Sequence, residues 1–192
     1  MRRPDLVEKW RDVGMELLLL GLEACDNQAL KEMRKRTTTE MNRDAIEICR
    51  ANDVEVAAYL IVNPAFNHED FRRLSEYVER NNLTHPVFTI LTPFPGTDLY
   101  HSVKGTLITE GFELMDFFHT VLPTKLPLDE FYEEFRGLYR RAYPFKNFLK
   151  SLAQRKAVLS PSMIAMNLKM RKRLALLRNH HHLVRERTAL GQ

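Results

Sequence analysis

Three short apolar runs, each stopped by turn-forming residues and separated from the next by helix-patterned stretches, constrain this chain more than any other feature. They are Met15 to Leu20, Val54 to Val62, and Val87 to Leu91. Each is too short for a typical buried helix and reads as a buried strand. The first lies between Gly14 and Gly21, the second stops at Asn63-Pro64, and the third at Thr92-Pro93. Strands separated by helices at intervals of about 30 to 40 residues are what right-handed βαβ crossovers produce. The fold class expected is therefore α/β, with three parallel strands forming a parallel sheet or part of a (β/α) barrel.

Leu6, Trp10 and Val13 space a helix over Asp5 to Val13, ended by Gly14. Asn27 to Arg34 supports a helical turn or two. Thr37, with Glu40 three residues on, reads as a capping box for a helix that carries Met41, Ala45, Ile46 and Ile48 to Ala51, where Asn52-Asp53 breaks it. Asn67 and Asp70 open the next helix, which runs through Phe71, Leu74, Tyr77 and Val78 to Asn81-Asn82. After the third strand, Pro93, Pro95 and Gly96 fix a rigid loop at the strand's C-terminal end, the place where such folds bind ligands.

From His101 to Thr124 the pattern is less regular, with a strand expected at Glu113 to Phe118. Three helical stretches follow: Leu128 to Ala142, Pro144 to Gln154, and Pro161 to Arg187, the last opened by Ser160-Pro161 as N-cap and first turn. Two domains are predicted, 1–105 as a half-barrel and 106–192 as a mostly helical extension, with the boundary within Thr106 to Leu126.

With 192 residues, 44% hydrophobic and 28% charged, the chain can bury an ordinary core, which argues against wholesale disorder. The longest leucine run, Leu17 to Leu20, falls far short of a membrane span, and no signal-peptide pattern follows Met1, so a cytoplasmic location is expected. Cys25 and Cys49 have no CxxC or CxxxC spacing and read as reduced thiols, Cys49 on the apolar side of its helix. His68, His85, His101 and His119 are scattered without HxxxH spacing; no metal site is expected, and their usual fate is a partly exposed surface.

Three segments carry a resemblance. Gly14 to Glu23, followed by Leu30 and Lys35-Arg36-Thr37, has a Gly-x-Glu strand end. Tyr59-Leu60-Ile61-Val62-Asn63-Pro64 is the second, and Leu91-Thr92-Pro93-Phe94-Pro95-Gly96-Thr97-Asp98-Leu99-Tyr100 the third. In this order and spacing they resemble the fourth strand, the fifth strand and the following loop in the C-terminal half of radical S-adenosylmethionine barrels. Pro-Phe-Pro-Gly-Thr-x-Leu-Tyr resembles the branch with an N-terminal cobalamin-binding domain, the helical remainder is similar to that branch's C-terminal extension, and the tail around Ser160 to Leu174 is most similar to the hopanoid C-3 methylase group. The likeness covers residues 1 to 100 and, through Pro127 to Arg141, the extension.

The resemblance implies a methyltransferase that uses S-adenosylmethionine, a 4Fe-4S cluster and cobalamin. It also implies that the cluster-binding CxxxCxxC loop and the corrinoid domain lie outside this chain, which has only two cysteines. A missing N-terminal half, or a partner chain carrying the cluster, is then expected, with this chain inactive alone as a fragment or half of a split enzyme. Where the family's fifth strand ends Gly-x-Pro, this chain has Val62-Asn63-Pro64.

By the same resemblance, Glu23 would accept hydrogen bonds from the ribose or amino group of S-adenosylmethionine, a role a carboxylate suits because it accepts several bonds and balances the sulfonium charge. Glu23 reads equally as a residue serving the following helix N-terminus. Arg36, or its neighbour Lys35, is the candidate for the methionyl carboxylate, against the reading that both are solvated surface. Asn63 and Thr92 end adjacent strands on the expected ligand face, against the reading that both satisfy turn backbone.

The last helical stretch sets Met163, Met166, Met170, Leu174 and Leu177 three and four apart, with Lys169, Arg171, Lys172, Arg173 and Arg178 around them. This basic amphipathic pattern suits contact with an anionic membrane surface or an acidic protein, and equally a core-facing stripe with a solvated face. Aromatics are not interleaved with the basic residues, so nucleic acid is not an expected partner. Two functions stand at this point: part of a cobalamin-dependent radical methyltransferase acting on a hopanoid or other lipid, or a non-catalytic interaction module that offers an open sheet edge and a basic helix.

Overall fold

The computed structural model describes residues 3–109, 111–144, 172–177, 179 and 182. Its elements run α1 (Pro4–Asp12), β1 (Leu17–Glu23), α2 (Asn27–Glu32), α3 (Thr39–Ala51), β2 (Glu55–Val62), α4 (His68–Arg80), β3 (His85–Ile90), α5 (Asp98–Val103) and α6 (Leu128–Ala142), with short 3₁₀ turns at Lys104–Thr106 and Phe112–Leu114. The three strands form one open parallel sheet in the order β1-β2-β3, so the α/β partial-barrel expectation holds. The chain divides into two compact units: residues 1–62 with 69–89, and residues 63–68 with 90–192.

In the first unit all four helices stop in the same way. Beyond each end stands a left-handed residue, Gly14 (φ 100°), Arg34 (φ 54°), Asp53 (φ 53°) or Asn82 (φ 46°). The next amide then donates back five positions: Met15 to Trp10, Lys35 to Leu30, Val54 to Cys49 and Leu83 to Val78, at 2.9 to 3.1 Å. This satisfies carbonyls that a helix end leaves unpaired and turns the chain sharply out of the helix. Helix starts are capped by side chains. Asp26 accepts from the Ala29 amide at 2.8 Å, and Thr38 accepts from Met41 at 3.3 Å. The cap of α3 is therefore Thr38 and not Thr37; both threonines suit the position, and the geometry chooses the later one.

The core of this unit comprises Asn42, Ile46 and Cys49 of α3, Phe71, Leu74, Tyr77 and Val78 of α4, and Leu22, Val56, Ala58, Leu60 and Phe88 of the strands. Helix α3 contacts both β1 and β2. Strand β1 departs from expectation because only Leu22 is fully buried, while Leu17 is 50% and Leu19 63% exposed. Leu17 and Leu19 pair with Glu55 and Ala57 on one face of the sheet, and among the described residues this face is open along β1, although Ala57 is buried.

In the second unit, Gly96 (φ 86°) turns the loop after β3 into α5, whose cap is Thr97, accepting from the Tyr100 amide at 3.2 Å. The predicted strand at Glu113 to Phe118 does not form. Phe112–Leu114 is a 3₁₀ turn, and Asp116 then accepts from the amides of Phe118 and His119, at 2.9 Å each, folding the chain back. Leu114, Met115 and Val121 are buried against Phe94, Tyr100 and Leu107.

Helix α6 matches its predicted bounds. Phe131, Tyr132, Phe135, Leu138 and Tyr139 are buried along one side, with acidic Asp129 and Glu130 in its first turn and basic Arg140 and Arg141 in its last. That is the arrangement amphipathic periodicity and the helix dipole favour. The predicted helix Pro144 to Gln154 lies outside the described residues apart from its first. Of the basic helix only 172–177, 179 and 182 are described: they are helical, with Leu174 and Leu177 buried and Lys172 and Arg173 exposed.

Candidate functional site

The strongest candidate group is built where β1 ends. Along β1 each residue pairs in turn with β2 until Gly21 meets Tyr59; then Glu23, not Leu22, meets Leu60. This one-residue bulge turns the chain, and Glu23 takes a left-handed conformation (φ 66°) unusual for a residue with a long side chain. Leu22 goes into the core. Its carbonyl accepts a 3.0 Å bond from Nδ2 of Asn42, itself buried on α3.

The Glu23 carboxylate folds back over Gly21. A Cβ on that glycine would lie 2.8 Å from Glu23 Oε1 and 3.4 Å from its carboxyl carbon, so the Gly-x-Glu order leaves the space that the carboxylate fills. Lys35 Nζ donates to Glu23 Oε1 at 2.8 Å. Lys35 is placed by the left-handed turn at Arg34 that ends α2, whereas Arg36 is exposed and joins no described hydrogen bond or ion pair. Of the two neighbours, Lys35 is the one brought to Glu23. Glu23 Oε2 accepts no bond from the described residues.

Asn63 and Thr92, in the second unit, are each occupied by backbone. Asn63 Oδ1 accepts from the Ala65 amide at 2.9 Å and its carbonyl accepts from Phe66, forming the turn that leaves β2. Thr92 is buried, and its hydroxyl donates to the Ile90 carbonyl at 2.9 Å. Both therefore shape the loops that follow their strands.

Two groups in the second unit were not singled out by the sequence. His119 is buried rather than partly exposed, with Nδ1 2.9 Å from Asp116 Oδ2 and its ring 6.1 Å from that of Tyr132. Burial pushes the Asp116 carboxyl up, but His119 and the two amides outweigh it and hold it below the ordinary range. Tyr132 accepts from the Thr120 amide at 3.1 Å, and burial raises its hydroxyl. At the surface, His68 lies between Glu134 (2.9 Å) and Glu130 (3.3 Å) of α6, and the hydrogen bond to Glu134 raises its imidazole.

The thiols are poorly suited to ligation. Burial raises both Cys25 and Cys49, and Asp26 adds to the effect at Cys25, so neither is biased toward the thiolate that binds iron. A cleft of about 390 Å³ lies among Arg50, Asp53, Glu55, Leu83 and Thr84, at the N-terminal ends of β2 and β3. Parallel sheets bind ligands at the other end.

No family profile matches the chain. Among curated proteins, the hopanoid C-3 methylase of Methylococcus capsulatus is 36% identical over 70% of this chain and 26% of its own length. The bacteriochlorophyllide d C-8(2)-methyltransferase of Chlorobaculum tepidum is 32% identical over 62% of this chain and 28% of its own. The anaerobic magnesium-protoporphyrin IX monomethyl ester cyclase of Rubrivivax gelatinosus is 26% identical over 78% and 27%. The chain thus spans about a quarter of the length of these relatives. Among the described residues, no helix is long and apolar enough to cross a membrane. These likenesses, together with the bulged Gly-x-Glu strand end and the Pro-Phe-Pro-Gly-Thr loop, place the chain in the cobalamin-dependent radical S-adenosylmethionine family, as a segment corresponding to a part of such a protein.

Proposed function

We propose that this chain is the part of a radical S-adenosylmethionine methyltransferase that helps to seat S-adenosylmethionine, and that the completed enzyme methylates a hopanoid or a similar fused-ring lipid. The observation that carries the reading is the Glu23 carboxylate, folded into the space above Gly21 at the C-terminal end of β1 with one oxygen held by Lys35. The other oxygen is available to accept from the ribose hydroxyls or the amino group, and the negative charge suits a sulfonium. Lys35 serves either to orient Glu23 or, swung away, to meet the methionyl carboxylate.

The donor sets differ in fit among the three groups the family uses. Glu23 and Lys35 fit S-adenosylmethionine, which when bound supplies the methyl or 5′-deoxyadenosyl group. Two thiols, Cys49 buried and Cys25 partly buried, both with raised pKa, do not fit a three-cysteine cluster, and no residue of this chain is assigned to the cluster or to cobalamin. A segment bearing CxxxCxxC, joined or separate, completes the enzyme in this reading and gives the exposed Leu17 and Leu19 a surface to meet. The similarity to a protein named for hopanoid methylation supports the lipid substrate.

The test is to put this chain in place of the matching segment of the Methylococcus capsulatus hopanoid C-3 methylase and to assay both S-adenosylmethionine binding and hopanoid methylation. The expected result is retained methylation, with Glu23→Ala weakening S-adenosylmethionine binding about tenfold or more and leaving the circular dichroism spectrum unchanged. Unchanged binding in the variant removes Glu23 from the site. A folded chimera that cleaves S-adenosylmethionine but methylates no hopanoid refutes the lipid assignment alone.

A further inference from the structure

We infer that Phe117, with Phe94 beside it, forms an aromatic wall that receives the apolar face of a fused-ring substrate. This inference rests on the methyltransferase reading above and names a residue that would set its substrate class.

Phe117 is the only aromatic residue among the described positions with a left-handed backbone (φ 69°). Bulky side chains are disfavoured there, and glycine or asparagine would relieve the strain. Arg34, Asp53 and Asn82 accept the same conformation in order to end helices, but Phe117 ends none. A phenylalanine at a strained position needs another reason to be there, and strain of this kind gathers at ligand sites.

The surrounding structure holds the strain in place from both sides. Asp116 Oδ1 accepts from the amides of Phe118 and His119, and the same carboxylate holds the buried His119 ring. The Phe117 carbonyl accepts from the Ile90 amide at 2.6 Å. Ile90 opens the stretch that leads into the Pro93 to Gly96 loop, so the turn is tied to the same stretch of chain that carries Phe94.

What this turn presents is the Phe117 ring, still 48% exposed. Its ring partner among the described residues is Phe94, on the Pro93 to Gly96 loop, with centroids 5.0 Å apart and planes at 61°. Two rings meeting edge to face make an open, rigid corner, which suits a flat fused-ring body better than a flexible chain. The exposed Glu113 and Asp116 on the same turn argue against an anionic bilayer as the occupant, because like charges would meet there.

The experiment titrates the full chain, and the chimera described above, with a hopanoid in detergent micelles; detergent alone and a straight-chain fatty alcohol are the comparisons. Phe117→Ala should raise the hopanoid dissociation constant about five- to tenfold, the effect of removing a half-buried ring contact. Phe117→Gly should weaken binding to the same extent while leaving the thermal midpoint unchanged or raising it, since it removes the strain as well as the ring. Phe112→Ala, on the neighbouring 3₁₀ turn and 72% exposed, should change neither. Equal loss of affinity for the fatty alcohol would overturn the ring assignment. A lowered midpoint in Phe117→Gly would show that the ring serves packing and would overturn the inference. Methylation by the chimera that is indifferent to Phe117→Ala sinks this inference and spares the function; hopanoid binding that depends on Phe117, without methylation, does the reverse.

Discussion

Replacing Gly21 by alanine separates the fold from the site more sharply than any change to Glu23 itself. The added Cβ would stand 2.8 Å from Glu23 Oε1, closer than carbon and oxygen approach without bonding, so the carboxylate must swing away. Gly21 is not among the glycines with positive φ, so alanine adds no backbone strain and lowers the entropy of the unfolded chain, stabilising by about 0.4–1 kcal/mol. Against this stand the loss of the partly exposed Lys35 pair, at most about 1 kcal/mol, and an off-rotamer Glu23, about 0.5–1.5 kcal/mol. The net change in stability should lie between a gain of about 0.5 and a loss of about 2 kcal/mol. A displaced acceptor loses a charge-assisted hydrogen bond worth about 1.5–3 kcal/mol, which is about a 10- to 150-fold loss of S-adenosylmethionine affinity. Denaturant unfolding and calorimetric titration of the chimera measure the two sides. A fall in stability above about 3 kcal/mol would mean that Gly21 serves the backbone. Unchanged affinity would mean that the carboxylate position seen here does not matter to the ligand.

Two further outcomes follow from the same geometry. Asn42→Ala leaves the buried Leu22 carbonyl without its donor and should cost about 1–3 kcal/mol in denaturant unfolding, whereas an exposed asparagine would cost almost nothing. His68 is held by Glu134 and Glu130, with Arg141 3.7 Å from Glu134 on the same helix, and its folded pKa lies above the ordinary value of 6.5. Its contribution to stability should be full below pH 6.5 and lost as pH rises through the folded value; His68→Gln should abolish that slope, and an NMR titration giving a pKa at or below 6.5 would refute it.

The strands and helices were legible because each run of apolar residues stops at residues with a physical reason to stop it. Gly14, Asp53 and Asn82 all tolerate the left-handed turn that ends a helix, and the sequence shows them in the right places. Arg34 does the same work without the composition that announces it, which is why periodicity could not choose between Lys35 and Arg36 as the residue beside Glu23. Asn42 carried a weak signal: it occupies the buried face of α3 with Ile46 and Cys49, four and seven residues on, where a polar side chain implies a buried acceptor. The stretch Glu113 to Phe118 has the composition of a strand, yet Asp116 bonds the two amides ahead of it and competes with sheet pairing. No local pattern reveals that His119 is buried, since its partner Tyr132 comes from a helix that begins nine residues later.

The apolar run of β1 is informative for a different reason. Four consecutive leucines are the composition of a parallel strand covered on both sides, and here one side is covered. Leu18 and Leu20 are partly buried and Leu22 fully, while Leu17 and Leu19 stand on the open face beside Glu55, Ala57 and Tyr59. Strict alternation would send residue 23 to that open face as well, and the bulge at Leu22 interrupts the alternation. The carboxylate nevertheless lies over Gly21, which belongs to the open face, because the left-handed Glu23 backbone folds the side chain back toward it. Three residues make this possible: Gly21 by having no Cβ, Asn42 by holding the carbonyl of the displaced Leu22, and Lys35 by pairing with the charge. A carboxylate among exposed leucines would be better solvated on the strand's edge, so its placement over the sheet is a consequence of the bulge and not of solvation. That puts the Glu23 carboxylate on the same side of the sheet as the exposed Leu17 and Leu19.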